Sequence, residues 1–399
     1  MKMRFPFFCL LLLAAPLARA ELIPPLSPVA AAMEKFVLEE EIAGSVTLLA
    51  QNGEIIAVDA VGQQDIATKK AMARNSLFWI ASMTKPITAM AIMMLQDEGK
   101  LKIEDPVSKH LPEFKNQMLI KEKTAEQTVL VKPKREITIK DLLTHTSGLV
   151  GKSPLDSDAL DVLTLKEAVI TYALSPLQFE PGSKWSYCNP GINTLGRIVE
   201  VVSGQPFARF LDTRLFRPLG MKDTTFWPTK KQLDERLATS YQATADGRSL
   251  EVTTIKYLTT PYYNQKRAPL AAGGLFSTAD DLFTLYSMLL AGGEWKGKRL
   301  LSAQALKQMT TSQSGDLKAG FADGMAMGLG FQIVREPTGV TASLSPGTYG
   351  HGGAYGTQFW IDPKKKAIHI LLIQRAGLKN SDASAMRQTL HETAASLLK

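Results

Sequence analysis

Residues 76–99, SLFWIASMTKPITAMAIMMLQDEG, limit the folds open to this chain more than any other stretch. They read as a short apolar strand running into a long apolar helix. From Ile87 to Leu95 only Thr88 interrupts the apolar run, and a helix that is hydrophobic on all sides belongs in the centre of a domain. Pro86 is tolerated only in a first turn, where its missing N–H breaks no bond, so it pins the helix start near Ser82. Gly99 reads as the closing glycine. Ser82 and Lys85 stand three residues apart at this junction, on one helix face, so a hydroxyl and an amine meet. Burial and the positive end of the helix dipole both disfavour a protonated amine there. A neutral Lys85 can then take the Ser82 proton, which defines a serine–lysine nucleophile.

A Ser-x-x-Lys match carries little weight by itself, because ordinary residue usage yields about one by chance in a chain of this length. Ser396 and Lys399 form a second match at the C-terminus, where chain ends fray. What singles out the first is its place at a strand-to-helix junction.

The opening MKMRFPFFCLLLLAAPLARA has a basic start, an apolar middle and Ala18-Arg19-Ala20 before Glu21, the pattern of a cleaved signal peptide over residues 1–20. Its apolar run is too short for a comfortable membrane span. The expectation is therefore a periplasmic or secreted protein with no stable membrane anchor after cleavage. Cys9 falls in this leader, so Cys188 is left without an intrachain disulfide partner. The formal net charge is +8, and Lys2, Arg4 and Arg19 lie in the leader, leaving +5. That excess is too diffuse to argue for a nucleic-acid partner.

Residues 45–60, SVTLLAQNGEIIAVDA, form two strand-like runs around Asn52-Gly53, a strong hairpin signal. Residues 109–140 are rich in Lys and Arg, alternate with apolar residues such as Val129 and Val131, and read as a solvated excursion with a small hairpin. A short helix from Ile139 stops at Gly148, and His145 within it reads as a polar residue held by turn hydrogen bonds rather than as a base. Helical patterns follow at 165–174, 193–203, 207–215 and 279–290. Strands return at 350–362 and 367–374, separated by the turn Pro363-Lys364-Lys365-Lys366, and 381–398 is an amphipathic helix. Neither an internal repeat nor a disordered linker divides the chain. The predicted fold class is α/β: an antiparallel sheet from both chain ends, flanked by helices, with a mainly helical lobe over roughly 139–300 inside one domain of 21–399.

Two further segments carry chemistry. FEPGSKWSYCNPG, 179–191, is a turn-rich loop that can aim Tyr187 into a cleft and presents Asn189 before a helix. Tyr262 and Asn264 repeat that spacing, but lack the Pro181-Gly182 turn before and the capped helix after. GHGGAYGT, 350–357, opens a strand with glycines, a place where a ligand or another backbone comes close, and His351 is its ionisable ring. A rival, Lys318-Ala319-Gly320, has no clear strand after it.

Ser82-Met83-Thr84-Lys85, Tyr187-Cys188-Asn189 and His351-Gly352-Gly353, in this order and at these separations, resemble the serine β-lactamase and penicillin-binding protein superfamily. The resemblance is nearest to class C β-lactamase-related hydrolases and family VIII carboxylesterases. LLTHTSGL from Leu142 and PLAAGGLFSTADDL from Pro269 look like further hallmarks, so it covers nearly all of the chain after the leader. It implies a β-lactamase/transpeptidase-like α/β sandwich with an all-helical lobe and a cleft between them.

By that resemblance Ser82 attacks a carbonyl, Lys85 and Tyr187 share the base and acid roles, and an acyl-enzyme forms and is hydrolysed. Asn189 would orient Lys85 and the substrate. The N–H groups of Ser82 and of Ala354, on the strand, would form an oxyanion hole, worth roughly 3 kcal/mol per donor. Gly352 and Gly353 would let substrate lie against the strand edge. His351 stands where class C β-lactamases carry a lysine, and a mostly neutral ring is ill suited to a β-lactam carboxylate. The expectation is a secreted carboxylesterase acting on a small-molecule ester, amide or β-lactam, with a cell-wall peptide as a further candidate. The alternatives are a D-amino-acid peptidase or DD-carboxypeptidase, a class C-like β-lactamase, and a non-catalytic cell-wall binder. No cofactor is expected, since no His-Glu-x-x-His signature or phosphate-cradling loop occurs, and the missing Gly-x-Ser-x-Gly elbow weighs against an α/β-hydrolase.

Overall fold

The computed structural model describes residues 27–152, 155 and 158–399; the leader read in the sequence lies outside them. Asn52 and Gly53 both adopt left-handed backbone, with φ of 54° and 85°, the geometry a two-residue hairpin between right-twisted strands requires. They join β1 (Gly44–Gln51) to β2 (Glu54–Asp65), and β3 (Lys70–Ala71) pairs beyond. The chain returns to this sheet near its end with β4 (Met325–Met327), β5 (Gln332–Val334), β6 (Tyr349–Gly352), β7 (Gln358–Asp362) and β8 (Ala367–Leu372). The order is β4-β5-β6-β7-β8-β1-β2-β3, with antiparallel neighbours throughout.

Register decides which side chains meet. Val46, Leu48 and Ala50 of β1 sit opposite Leu372, Ile370 and Ile368 of β8, so all six share a face of the pleat. That face joins the main core. Leu371, Ile373 and Val61 point the other way and pack with Val29, Met33, Met386 and Leu390, which belong to α1 (Pro28–Leu38) and to a C-terminal helix, Ala385–Leu397. The core on the first of these faces holds α2 (Thr84–Asp97), in which every residue from Thr84 to Leu95 is buried. Further out lie α3 (Leu165–Leu174) and α4 (Asn189–Ser203), while α5 (Ala279–Leu290) packs on β8 and β1; the C-terminal helix is α6. The basic excursion forms the expected hairpin, Leu119–Lys123 with Thr128–Val131.

Several boundaries move for identifiable reasons. The α-helix begins at Thr84, and Ser82 lies in a preceding 3₁₀ turn, Ala81–Met83. The helix from Ile139 ends at Leu143, because His145 takes φ of 59° and turns the chain toward the 182–186 loop well before Gly148. Helix α4 starts at Asn189, where the Cys188 thiol accepts the Gly191 N–H at 3.4 Å. Residues 350–362 are two paired strands rather than one, and α6 starts at Ala385 after a short turn, Ser381–Ala383.

Gly330 brings the end of the sheet onto the central helix. Its φ is +79°, its N–H bonds the Leu143 carbonyl at 3.0 Å, and a Cβ there would lie 2.4 Å from the Ala89 Cβ. Gly330→Ala combines a left-handed backbone with overpacking and is expected to lower stability by about 3 kcal/mol. Urea denaturation reads this out, and an unchanged midpoint would contradict the close approach.

Candidate active site

Ser82 is held by a turn tied down on several sides. The short strand Phe78–Trp79 pairs with Phe276–Ser277. The Gln374 amide donates to the Trp79 carbonyl at 3.0 Å, and the Ile80 N–H donates to the Leu275 carbonyl at 3.0 Å. Thr84 Oγ1 donates to the Ala81 carbonyl at 2.7 Å. Ala81 is buried with φ of +45°, a conformation costly for a residue with a Cβ and kept only where its surroundings impose it. It turns the chain so that Ser82, unlike its neighbours, stays partly accessible.

Two groups converge on the Ser82 oxygen. Lys85 Nζ lies 3.0 Å from Oγ, and the Tyr187 hydroxyl donates to it at 2.8 Å. Lys85 also donates to the Ala272 carbonyl at 2.6 Å and sits 4.7 Å from the Tyr187 ring centre. Burial among apolar helices pulls its ammonium from the ordinary 10.5 down to about 7. Burial drives the Tyr187 phenol well above the usual tyrosine range, outweighing its bond to Ser82. Around neutrality the lysine therefore exchanges a proton readily while the phenol keeps its own. A neutral Nζ can accept the Ser82 proton, with Tyr187 O–H as the second donor onto the same oxygen.

The Tyr187 loop is clamped by the LLTHTSGL segment. The Ser186 N–H donates to the His145 carbonyl at 2.9 Å, Gly182 N–H to the Thr146 carbonyl at 2.8 Å, and Cys188 N–H to His145 Nδ1 at 3.2 Å. The His145 ring lies 4.7 Å from the Tyr187 ring, and burial, followed by the nearby Lys85 charge, lowers its pKa well below the normal range. His145 is thus a neutral acceptor and ring wall. Phe321 covers the other side of Tyr187 at 4.8 Å. The Cys188 thiol is pushed up to about 12 by burial, which removes it as a nucleophile.

Asn189 departs from its expected role as a partner of Lys85. No hydrogen bond joins the two among the described residues: Nζ is taken by Ser82 and Ala272, and Asn189 instead lines the cavity. Ala272 was hidden from residue-type reasoning because its contribution is a backbone carbonyl.

His351 donates Nδ1–H to the Gly352 carbonyl at 2.7 Å, and burial lowers its pKa to about 3. The ring is neutral, 6.3 Å from Tyr187. Internal packing by itself requires both glycines. A Cβ at Gly352 would lie 2.5 Å from Gln358 Nε2, and one at Gly353 would lie 2.1 Å from Thr357 Oγ1. β5 pairs with β6 only at Tyr349 and Gly350, so beyond Gly350 the edge of this segment that faces away from β7 has no strand partner. Ala354 lies not on the strand but in the following turn, where Gly356 N–H donates to the Gly353 carbonyl at 3.0 Å. It shares with Ser82 a cavity of about 210 Å³, walled also by Trp79, Leu160, Tyr187, Tyr257 and Gly273. The sequence rivals lie elsewhere: Lys318 is 95% exposed beside Asp323, and the Tyr262 hydroxyl accepts the Ile255 N–H.

A buried amine and a phenol converging on one serine oxygen, in a cleft beside an antiparallel α/β sheet, define a serine hydrolase of the penicillin-binding type. The beta-lactamase family profile matches residues 29–393, and the chain belongs to that family. Protein Rv1367c of Mycobacterium tuberculosis is 33% identical over 362 residues, spanning 86% of this chain and 88% of that protein. Esterase EstB of Burkholderia gladioli is 28% identical over 372 residues, with the same coverage of 86% and 88%. Among solved structures, EstCE1, a hydrolase with promiscuous acyltransferase activity, superposes with a TM-score of 0.77 at 26% identity, covering 92% of this chain and 97% of that one.

Burying Lys85 links stability to pH. Below about 7 the ammonium is present in folded and unfolded chains alike and its desolvation penalty is complete; between about 7 and 10.5 only the unfolded chain stays protonated, so the penalty fades. Lys85→Met is therefore expected to exceed the parent stability at pH 6 by on the order of a few kcal/mol, with the gap closing toward pH 10. Urea titrations at pH 6, 8 and 10 check this, and a gap that does not vary with pH would refute it.

Proposed function

We propose that this chain is a secreted carboxylesterase that forms an acyl-enzyme on Ser82. The observation that carries the reading is the placement of Lys85 Nζ and Tyr187 O–H at 3.0 and 2.8 Å from one serine oxygen. Ser82 Oγ attacks the ester carbonyl as its proton passes to neutral Lys85. The developing oxyanion faces the N–H groups of Ser82 and Ala354; the latter is engaged by no described residue. Tyr187 gives its proton to the departing alkoxide, and the proton held by Lys85 restores the phenol. Water then repeats the sequence on the acyl-enzyme.

Ester rather than β-lactam chemistry is supported by the neutral His351, which offers no cation to a substrate carboxylate. The 210 Å³ cavity is smaller than the roughly 300–1,000 Å³ of drug-sized sites, which suits a short acyl chain. A cavity of about 600 Å³ shares Leu160, Asn189 and Tyr257 with it and leaves room for the rest of the substrate. Esterase EstB among the relatives agrees with this reading, and the signal-peptide pattern read at residues 1–20 supports export.

Turnover of p-nitrophenyl butyrate, nitrocefin and a D-Ala-D-Ala peptide compares the candidate substrates. The butyrate should lead, and Ser82→Ala should abolish both its hydrolysis and the mass added by a serine-directed phosphonate. Retained activity in that variant would refute the acyl-enzyme. Because the base must be neutral, kcat/KM is expected to fall as pH drops through about 7. A profile flat from pH 5 to 9 would remove Lys85 from the role.

A further inference from the structure

Helix α4 presents two asparagines one turn apart. Asn189 faces the cavity, whereas Asn193 is 3% exposed and points at the segment that supplies the Lys85 acceptor. The Ala272 N–H donates to Asn193 Oδ1 at 3.0 Å, and the carbonyl of the same residue accepts from Lys85 Nζ at 2.6 Å. The Ala272 N–H is a donor only and so takes the amide oxygen, which leaves Asn193 Nδ2 to donate to the Tyr172 hydroxyl at 3.4 Å. The neighbouring Ala271 carbonyl accepts from Thr88 Oγ1 at 2.7 Å, so two consecutive carbonyls are aimed at α2. Gly196 provides an independent sign that α4 is fitted to this segment: a Cβ there would lie 2.6 Å from the Ala271 Cβ.

We propose that Asn193 is a positioning residue for the base: by holding the peptide plane that enters Ala272, it fixes that residue's backbone and with it the direction of the Ala272 carbonyl, in the next plane, that keeps Lys85 Nζ against Ser82 Oγ. The inference rests on the acyl-enzyme reading above. Asn193 touches no reacting atom and acts through Ala272. Without the Oδ1 acceptor the Ala272 N–H is left buried and unpaired, the 271–272 peptide turns to find another partner, the backbone angles at Ala272 change with it, and the carbonyl in the following plane no longer anchors Nζ at 2.6 Å. The lysine then samples positions away from Oγ; of the cavity lining only the stretch around Ala272 is touched, while Trp79, Leu160, Tyr257 and Ala354 keep their places.

The test measures the pH dependence of kcat and KM for p-nitrophenyl butyrate in Asn193→Leu and Asn193→Asp, with circular dichroism and melting to confirm folding. Displacing a reacting group by about 1 Å costs on the order of 10²-fold, so Asn193→Leu is expected to lower kcat by about that factor with KM within about twofold. Asn193→Asp keeps the acceptor and adds a negative charge near the amine. Its kcat is expected within about tenfold of the parent, with the acid limb displaced to higher pH, because a carboxylate favours the ammonium. A folded Asn193→Leu protein with kcat within about threefold of the parent, or an aspartate variant no better than leucine, overturns the proposal. Should leucine abolish folding, the aspartate profile decides by itself: an acid limb that does not move counts against Asn193. A Ser82→Ala protein that retained activity would defeat the reading beneath, whereas a dead Ser82→Ala beside an unaffected Asn193→Leu would defeat this inference alone.

Discussion

The site depends on burying a lysine inside an apolar helix bundle. An ammonium taken out of water must be paired or lose its proton. No carboxylate bonds Lys85 among the described residues; its neighbours are a hydroxyl, a backbone carbonyl and an aromatic face. The result is an amine pulled down to about 7. Had an acid been placed beside it, the charge would be stabilised and the base lost. The apolar character of α2, from Ile87 to Leu95, is thus part of the chemistry as well as of the packing.

The two hallmark stretches can be understood from the same requirement. Residues 269–274 return to α2 after a long excursion and contribute main-chain atoms. The Ala271 carbonyl takes Thr88, the Ala272 carbonyl takes Lys85, and the Gly273 carbonyl takes Trp79 Nε1 at 2.7 Å. Residues 142–149 do the corresponding work for the phenol, using a left-handed His145 to place an imidazole against Tyr187. One segment fixes the amine and the other fixes the ring. The serine, already held by its own turn, receives both.

What the sequence disclosed and what it hid divide along the range of the interactions. Asn52-Gly53 marked its hairpin because a two-residue turn is local. Helices α3 and α5 began where their caps stood: Thr164 with Glu167 forms a reciprocal capping box, and Thr278 caps α5 through Asp281 N–H. Helix α4 was misread by four residues because its cap is a thiol, outside the usual set of capping residues. The Ser82–Lys85 pair was legible from its spacing together with its place at a strand-to-helix junction, but nothing local joins Tyr187 to Ser82 across 105 residues. Ala272 and Asn193 were invisible for another reason: one acts through its backbone, and the other sits in a helix that reads as ordinary core. The left-handed Ala81 has no residue-type signature at all, since alanine is not chosen for positive φ.

The electrostatic state of the pocket follows from summing its parts. His145 and His351 are held neutral by burial, as are the Tyr187 phenol and the Cys188 thiol, and above about pH 7 Lys85 is neutral too. Five ionisable side chains therefore surround the nucleophile without a resting charge. A neutral ester enters such a site with little electrostatic penalty, whereas a carboxylate would give up its hydration with none of these five groups charged to receive it. In the reaction proposed above, charge appears only when the serine proton reaches Lys85 and the negative charge moves to the carbonyl oxygen. An ammonium and an oxyanion created together in a low-dielectric cavity attract strongly, so the environment that makes a permanent charge costly favours the pair that defines the transition state.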